Sequence, residues 1–268
     1  MSKVVSMIGI FDSGIGGLTV VREVLDKLPN YRIVYFGDTA RSPYGTKSPK
    51  TIIDYAVEDT QFLIDQGAKI IVVACNSVSS VAIEVLRERF AIPLFEVIGP
   101  AVKKTLQITR NHRIGIIGTR ATVGSHIYQR LLKESRPDIQ VFSQACPLLV
   151  PLVEENWLKR PETKRIIRKY LQPIKTKQVD TLVLGCTHYP LLKSVIQAKM
   201  GRQCQIIDSS QEVALWVKEY LEENPELMRS LEPAVAQAGH RFFVSDLTPN
   251  FEQIAKEFLG RPISLELA

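Results

Sequence analysis

The stretch "IIVVACNS" (70–77) runs four β-branched residues and an alanine into Cys75, Asn76 and Ser77. Downstream, "TLVLGCTH" (181–188) repeats the arrangement at an offset of 111, with Cys186 followed by Thr187 and His188. Neither run alternates apolar with polar residues. Such runs read as strands covered on both faces, which is the situation of a parallel sheet with helices on either side.

Working outward, other strand-like runs keep the same order twice. "MIGIF" (7–11), "RIVYF" (32–36), "KIIVVA" (69–74) and "IPLFEV" (92–97) fall in the first part of the chain. "IGIIGT" (114–119) answers "IGIFDS" (8–13) at an offset of 106, "IQVFS" (139–143) answers "RIVYF", and "CQIID" (204–208) answers "IPLFEV". Helical patterns lie between them. Leu18, Val21, Leu25 and Leu28 make one apolar stripe, and Ser48 with Pro49 reads as an N-cap followed by proline at the first helical position. That helix carries Ile53, Val57 and Ile64, and Gly67 marks its end. The expected fold is therefore α/β: two similar lobes, each a mainly parallel sheet flanked by helices, related by a pseudo-two-fold axis, with the active site between them. No Gly/Ser linker separates the copies, so a closely packed pair is expected. Pattern alone leaves open which lobe takes the tail, with its helix-like "QEVALWVKEYLEE", strand-like "RFFVSD" and amphipathic helix near 250–259. The division adopted is 1–98 plus 208–268 for the Cys75 lobe and 99–207 for the Cys186 lobe.

Composition narrows the function classes. The chain has 268 residues, 45% of them hydrophobic, enough for a substantial core. No uncharged run is long enough to cross a bilayer, and no leader-like apolar segment opens the chain, so a cytoplasmic protein without membrane partners is expected. Four dispersed cysteines, none in a C-x-x-C pair, argue against a disulfide framework or a structural zinc. The formal charge is +6, but in "KRPETKRIIRKYLQPIKTK" (159–177) Ile166, Ile167, Tyr170, Leu171 and Ile174 share one helical face. The cations there read as a solvated surface rather than a nucleic-acid site.

Ligands of open parallel sheets bind at the carboxyl ends of the strands, where both thiols sit. Two cysteines approaching one cleft from opposite sides suit removal of a proton from one face of a carbon and its return to the other. A thiol with an ordinary pKa of about 8.5 needs a partner to act as a base; Asp12 can serve Cys75, and His188 can serve Cys186. Asp12 and Ser13 end the first strand in "FDSGIGG", and Tyr44 and Gly45 lie in the turn-like "GDTARSPYGTK" (37–47). Each residue also has a plainer role: free cysteine is a common core residue, Asp12 can be an N-cap, and His188 can cap a helix near Pro190. The matching positions of the two thiols favour chemistry; Cys146 and Cys204 lack that setting and read as structural. "SGIGGLT" is not a dinucleotide loop, since position 19 is Thr.

The motifs "IGIFDSGIGGLTV", "YFGDTARSPYGTK", "VVACNSVS", "PLVEENW" and "LVLGCTHYPLL", in this order, resemble those of the glutamate racemase family, over about residues 8 to 210. The resemblance implies a cofactor-independent and metal-independent 1,1-proton transfer that interconverts L- and D-glutamate, the latter a peptidoglycan building block. It implies Cys75 and Cys186 as acid/base residues, Asp12 and His188 as their assistants, and Glu154 as support for the histidine. It implies substrate contacts from Asp12, Ser13, Tyr44, Gly45, Asn76, Ser77, Thr187 and His188, and a homodimer. Ser77 departs from the threonine common in the family, keeping the hydroxyl without the methyl. Six residues precede Met7, so the N-terminal extension that links some members to activation by a cell-wall precursor is not expected.

Rival readings are a relative acting on aspartate, a one-cysteine decarboxylase, a covalent thiol hydrolase and a basic nucleic-acid binder. Two matched cysteines argue against the decarboxylase. The T-H pair after Cys186 and the Y-G loop favour glutamate by resemblance.

Overall fold

The computed structural model describes residues 6–231, 239–248 and 251–268. In chain order the strands are β1 (Met7–Asp12), β2 (Ile33–Gly37), β3 (Ala68–Val73), β4 (Leu94–Glu96), β5 (Arg113–Gly118), β6 (Gln140–Ala145), β7 (Thr181–Gly185), β8 (Gln205–Asp208), β9 (Arg241–Val244) and β10 (Glu266–Leu267). They form two sheets, ordered β10-β9-β2-β1-β3-β4 and β6-β5-β7-β8. Every pairing among the described residues is parallel.

The repeat read from the sequence is a repeat of topology. β1 lies between β2 and β3 as β5 lies between β6 and β7, and the fourth strand of each unit pairs outside the third. The tail strand β9 adds to β2 with Tyr35 opposite Phe242, so the final segment extends the first sheet. The tail helix expected near 250–259 runs Phe251–Leu259, residue 250 lying outside the described residues. β1, β2, β5 and β7 are buried along nearly their whole length, whereas the edge strand β6 is half exposed.

One apolar core runs through both lobes, joining Ile10 and Val72 of the first sheet to Ile116 and Val183 of the second. The helices Ile98–Ile108 and Ser209–Glu223 pack against each other between the sheets; the second touches both β4 and β7. A smaller cluster on the far face of the first sheet includes Phe11, Phe36, Ile52 and Leu63.

The helix Pro49–Asp65 starts as expected: the Ser48 hydroxyl accepts from the Thr51 N–H, and Pro49 occupies the first turn. Gly67, at φ 96°, ends it. Its buried face is partly polar. Ile52, Ala56, Asp59, Thr60 and Leu63 point inward, while Ile53, Val57 and Ile64 lie on the flanks. A polar pair at the centre of the face hides it from an apolar-pattern reading.

Candidate active site

Strand ends assemble the site. Asp12 closes β1, Thr119 follows β5, Cys186 follows β7, and Cys75 lies two residues past β3. These are the carboxyl ends of the inner strands of both sheets, where loop and helix-start N–H groups converge. Ser13, Gly45, Cys75, Asn76, Ser77, Cys186, Thr187 and His188 line one narrow cleft, together with Ser42, Pro43, Thr119 and Val150. A larger hollow between the helices Ile98–Ile108 and Ser209–Glu223 contains neither a thiol nor an imidazole.

The Cys75 thiol donates to Ser13 Oγ at 3.5 Å. Burial, and then the Asp12 carboxylate, push this thiol up to about 12. On the other wall, Cys186 Sγ lies 3.8 Å from His188 Nδ1, and His188 Nε2 lies 2.9 Å from Glu154 Oε1. Burial alone would favour neutral imidazole. The Cys186 and Glu154 contacts outweigh it and raise His188 to about 10, so the ring is an imidazolium at neutral pH, held between a sulfur and a carboxylate. Although His188 sits at the N-cap position of the turn Tyr189–Leu192, its side chain makes no capping bond.

Asp12 is fully buried. Its Oδ1 accepts from Thr187 Oγ1 at 3.4 Å, and its Oδ2 has no hydrogen-bond partner among the described residues. Burial raises its pKa against the pull of His188 and the Gly14 and Gly17 N–H groups. Two glycines make this close approach possible. A Cβ on Gly16 would lie 2.4 Å from the His188 ring, and one on Gly17 would lie 2.4 Å from Asp12 Cβ.

Hydrogen bonds join the lobes around the cleft. Tyr128 donates to Asn76 Oδ1 at 2.8 Å, Ser77 and Thr119 hydroxyls are 2.9 Å apart, and Thr19 donates to the Thr187 carbonyl at 3.0 Å. Tyr35, fully buried, donates to the Gly14 carbonyl and fixes the glycine loop.

Three expected site residues stand behind the lining: Asp12, Glu154 and Tyr44. The fully buried Tyr44 side chain turns away from the cleft. Its hydroxyl donates to Asp38 and lies 3.0 Å from Asp59 Oδ2, leaving only its main chain, beside Gly45, for a ligand. Arg41 joins this network, donating to Asp38 and to Asp59 Oδ1 at 3.1 Å; Ser245 donates to Asp38 at 2.7 Å. The network braces the segment 42–45 that forms one cleft wall. Thr119 escaped the sequence reading, yet the offset of 106 that pairs the first strands also pairs Ser13 with Thr119. Cys146 is buried, its thiol 3.5 Å from the Gln144 carbonyl, and takes no place in the lining. Among the described residues no cluster of His, Cys, Asp or Glu is arranged to hold a metal ion, and no helix is long and apolar enough to cross a membrane.

A family profile described as Asp/Glu/Hydantoin racemase matches residues 18–216. The chain belongs to this family. It is 45% identical to a glutamate racemase from Geobacter metallireducens over 253 residues, covering 94% of this chain and 92% of that one. Its fold superposes on a crystal structure of a glutamate racemase isoform from Bacillus anthracis with a TM-score of 0.92 at 36% identity, covering 99% and 98% of the two chains. A glutamate racemase from Francisella tularensis, in complex with D-glutamate, gives a TM-score of 0.90 at 36% identity, covering 98% and 97%.

Proposed function

We propose that this racemase interconverts L- and D-glutamate by a two-thiol proton transfer and supplies D-glutamate for peptidoglycan in the cytoplasm. The observation that carries the reading is the pair of cysteines at equivalent strand ends of a repeated unit, lining one cleft from its two lobes. In each direction one cysteine, as thiolate, takes the α-proton. The electron pair stays on the α-carbon, conjugated with the adjacent carboxylate. The opposite thiol returns a proton to the other face, and a thiol and a thiolate have exchanged places. His188, cationic and pinned by Glu154, stabilises the Cys186 thiolate.

The lining suits an amino acid with two carboxylates. Ser13, Asn76, Ser77, Thr119 and Thr187 supply neutral donors or acceptors, and among the described residues no Lys or Arg lines the cleft. Asp12 Oδ2, buried and unpaired, is a matching acceptor for the substrate ammonium, since a buried carboxylate oxygen without a donor is costly. The lobes are assigned as 1–98 with 208–268 and 99–207, and the family resemblance adds a homodimer, checked by sedimentation equilibrium.

The deciding experiment incubates the purified protein with L-glutamate in D₂O under reducing conditions. The expected result is D-glutamate carrying deuterium at the α-carbon. Absence of both inversion and exchange would withdraw glutamate as substrate.

A further inference from the structure

The lobes differ sharply in charge. Residues 99–207 carry 19 Lys and Arg against 6 Asp and Glu, while the rest of the chain carries 15 against 22. Much of that excess sits on the helix Pro161–Lys175, which buries Thr163, Ile167, Leu171 and Ile174 and exposes Lys164, Arg165, Arg168, Lys169 and Lys175. Among the described residues none of these five cations forms an ion pair. Lys164 with Arg168, and Arg165 with Lys169, are like charges four residues apart, which weakens an isolated helix. Lys164 and Arg165 also sit in the half of the helix where the dipole disfavours cations; Glu162 is the single acid of its first turn. Of the five, Lys175 lies in the last turn, where the dipole favours it, and donates to the Lys199 carbonyl at 2.7 Å; the other four add nothing to helix stability and are free to meet an anionic partner.

Two of the exposed large apolar side chains adjoin the same helix. Trp157 is 42% and Leu148 50% exposed. Thr163 donates to the Trp157 carbonyl at 2.6 Å, and the Leu148 N–H donates to the Tyr170 hydroxyl at 3.4 Å. A face of lysine and arginine with an exposed indole and leucine beside the same helix has the chemistry of a peripheral contact with anionic lipid: cations meet head groups and the apolar side chains enter the interfacial layer. Single-stranded nucleic acid is held differently, in a groove with several rings for base stacking. We propose that the helix Pro161–Lys175, with Trp157 and Leu148, docks the protein on an anionic bilayer surface, with no membrane-spanning segment required.

The test is sedimentation of the full chain with vesicles of phosphatidylcholine alone or mixed with phosphatidylglycerol. Binding is expected with the mixed vesicles at low salt and not with phosphatidylcholine, and it should weaken as salt rises. Each cation near such a surface is worth about a fivefold gain in partitioning, so R165E/R168E should lose at least about thirtyfold. The same variant should racemise normally in solution, which shows that it folds. In a W216F background, where Trp157 is the one remaining tryptophan, its emission should shift to the blue on vesicle addition. No sedimentation at low salt, binding undiminished in R165E/R168E, or an unmoved Trp157 spectrum would overturn the proposal. So would an arginine-dependent shift of a duplex oligonucleotide without vesicle binding, which would assign the face to nucleic acid.

Discussion

The two walls of the cleft occupy the same place in a repeated unit and carry opposite electrostatics. Cys75 faces the Ser13 hydroxyl and the buried Asp12 carboxylate, which with burial keep its thiol protonated, up to about 12. Cys186 faces an imidazolium backed by Glu154. Duplication of a fold unit thus fixes where two thiols stand without fixing the charges around them. Catalysis in either direction begins with one thiol and one thiolate, and Cys75 and Cys186 exchange these roles between the two directions. The Cys186 wall carries a cation at His188, and the Cys75 wall carries a carboxylate at Asp12.

The largest expected effect breaks the relay itself. C75S and C186S should each lower racemisation about a thousandfold or more, the scale of a lost general acid or base. Solvent exchange then separates the walls. C75S leaves Cys186 beside its imidazolium and should still wash deuterium into one glutamate enantiomer; C186S leaves a thiol of high pKa and should exchange far more slowly. Equal residual exchange in the two variants, measured by mass spectrometry, would refute the claimed difference between the walls.

A second comparison sets Asp38 against Asp59 in the network behind the Tyr44–Gly45 wall. Burial, and then the Asp38 charge, push Asp59 well above the usual carboxylate range, so D59N preserves shape and most of the charge balance. D38N removes the anion that Arg41, Tyr44 and Ser245 all address. Breaking a buried ion pair by deleting one charge costs about 3 kcal/mol. Urea titration should find D38N destabilised by about that amount and D59N by less than half of it. KM should rise in D38N, because the loosened segment forms part of the cleft. Equal losses would mean that both carboxylates are charged.

These two examples mark how far sequence reading reaches. The strands, their order, the strand-end thiols and His188 are legible because periodicity and position carry them. Thr119 was legible too, through the repeat that pairs it with Ser13, but the reading followed the thiols. The Asp38–Arg41–Asp59 network was not. Asp59 lies eighteen residues past Arg41 on a helix whose apolar pattern points to the flank residues Ile53, Val57 and Ile64. Tyr44 shows the same limit: a motif tells that the loop is used, not which way the ring turns.

E154Q sharpens the description of the Cys186 wall. It keeps a hydrogen-bonding partner for His188 but removes the negative charge, and a charge-assisted bond is worth about 1.5 kcal/mol or more, so kcat should fall about tenfold or more. The stability profile gives an independent reading. His188 has its folded pKa raised from 6.5 to about 10; its contribution is therefore complete below about 6.5 and is lost as pH rises through about 10. The melting temperature of the native protein should decline across that window. Buried Cys75, raised from 9.0 to about 12, adds a further loss at still higher pH. In E154Q the decline between about 6.5 and 10 should flatten while the Cys75 part persists. Identical profiles would show that Glu154 does not set the charge on His188.

The smallest expected effect tests the Cys75 wall through the residue that follows it. Asn76 receives the Tyr128 hydroxyl from the other lobe at 2.8 Å, and its Nδ2 lies 3.4 Å from Ser209 Oγ. Its amide is thus oriented by two residues outside its own loop. Y128F removes one donor and leaves the ring in place, which costs about 1 kcal/mol and should lower the melting temperature by about 2–4 °C in a chain of this size. The ring does not reach His188 or Glu154 by any hydrogen bond, and its hydroxyl is paired with Asn76. Substrate binding should therefore weaken through Asn76, raising KM more than it lowers kcat, while the stability decline governed by His188 stays as in the native protein. A Y128F enzyme that lost kcat with KM unchanged would place Tyr128 in the proton transfer itself, and the two walls would no longer be independent.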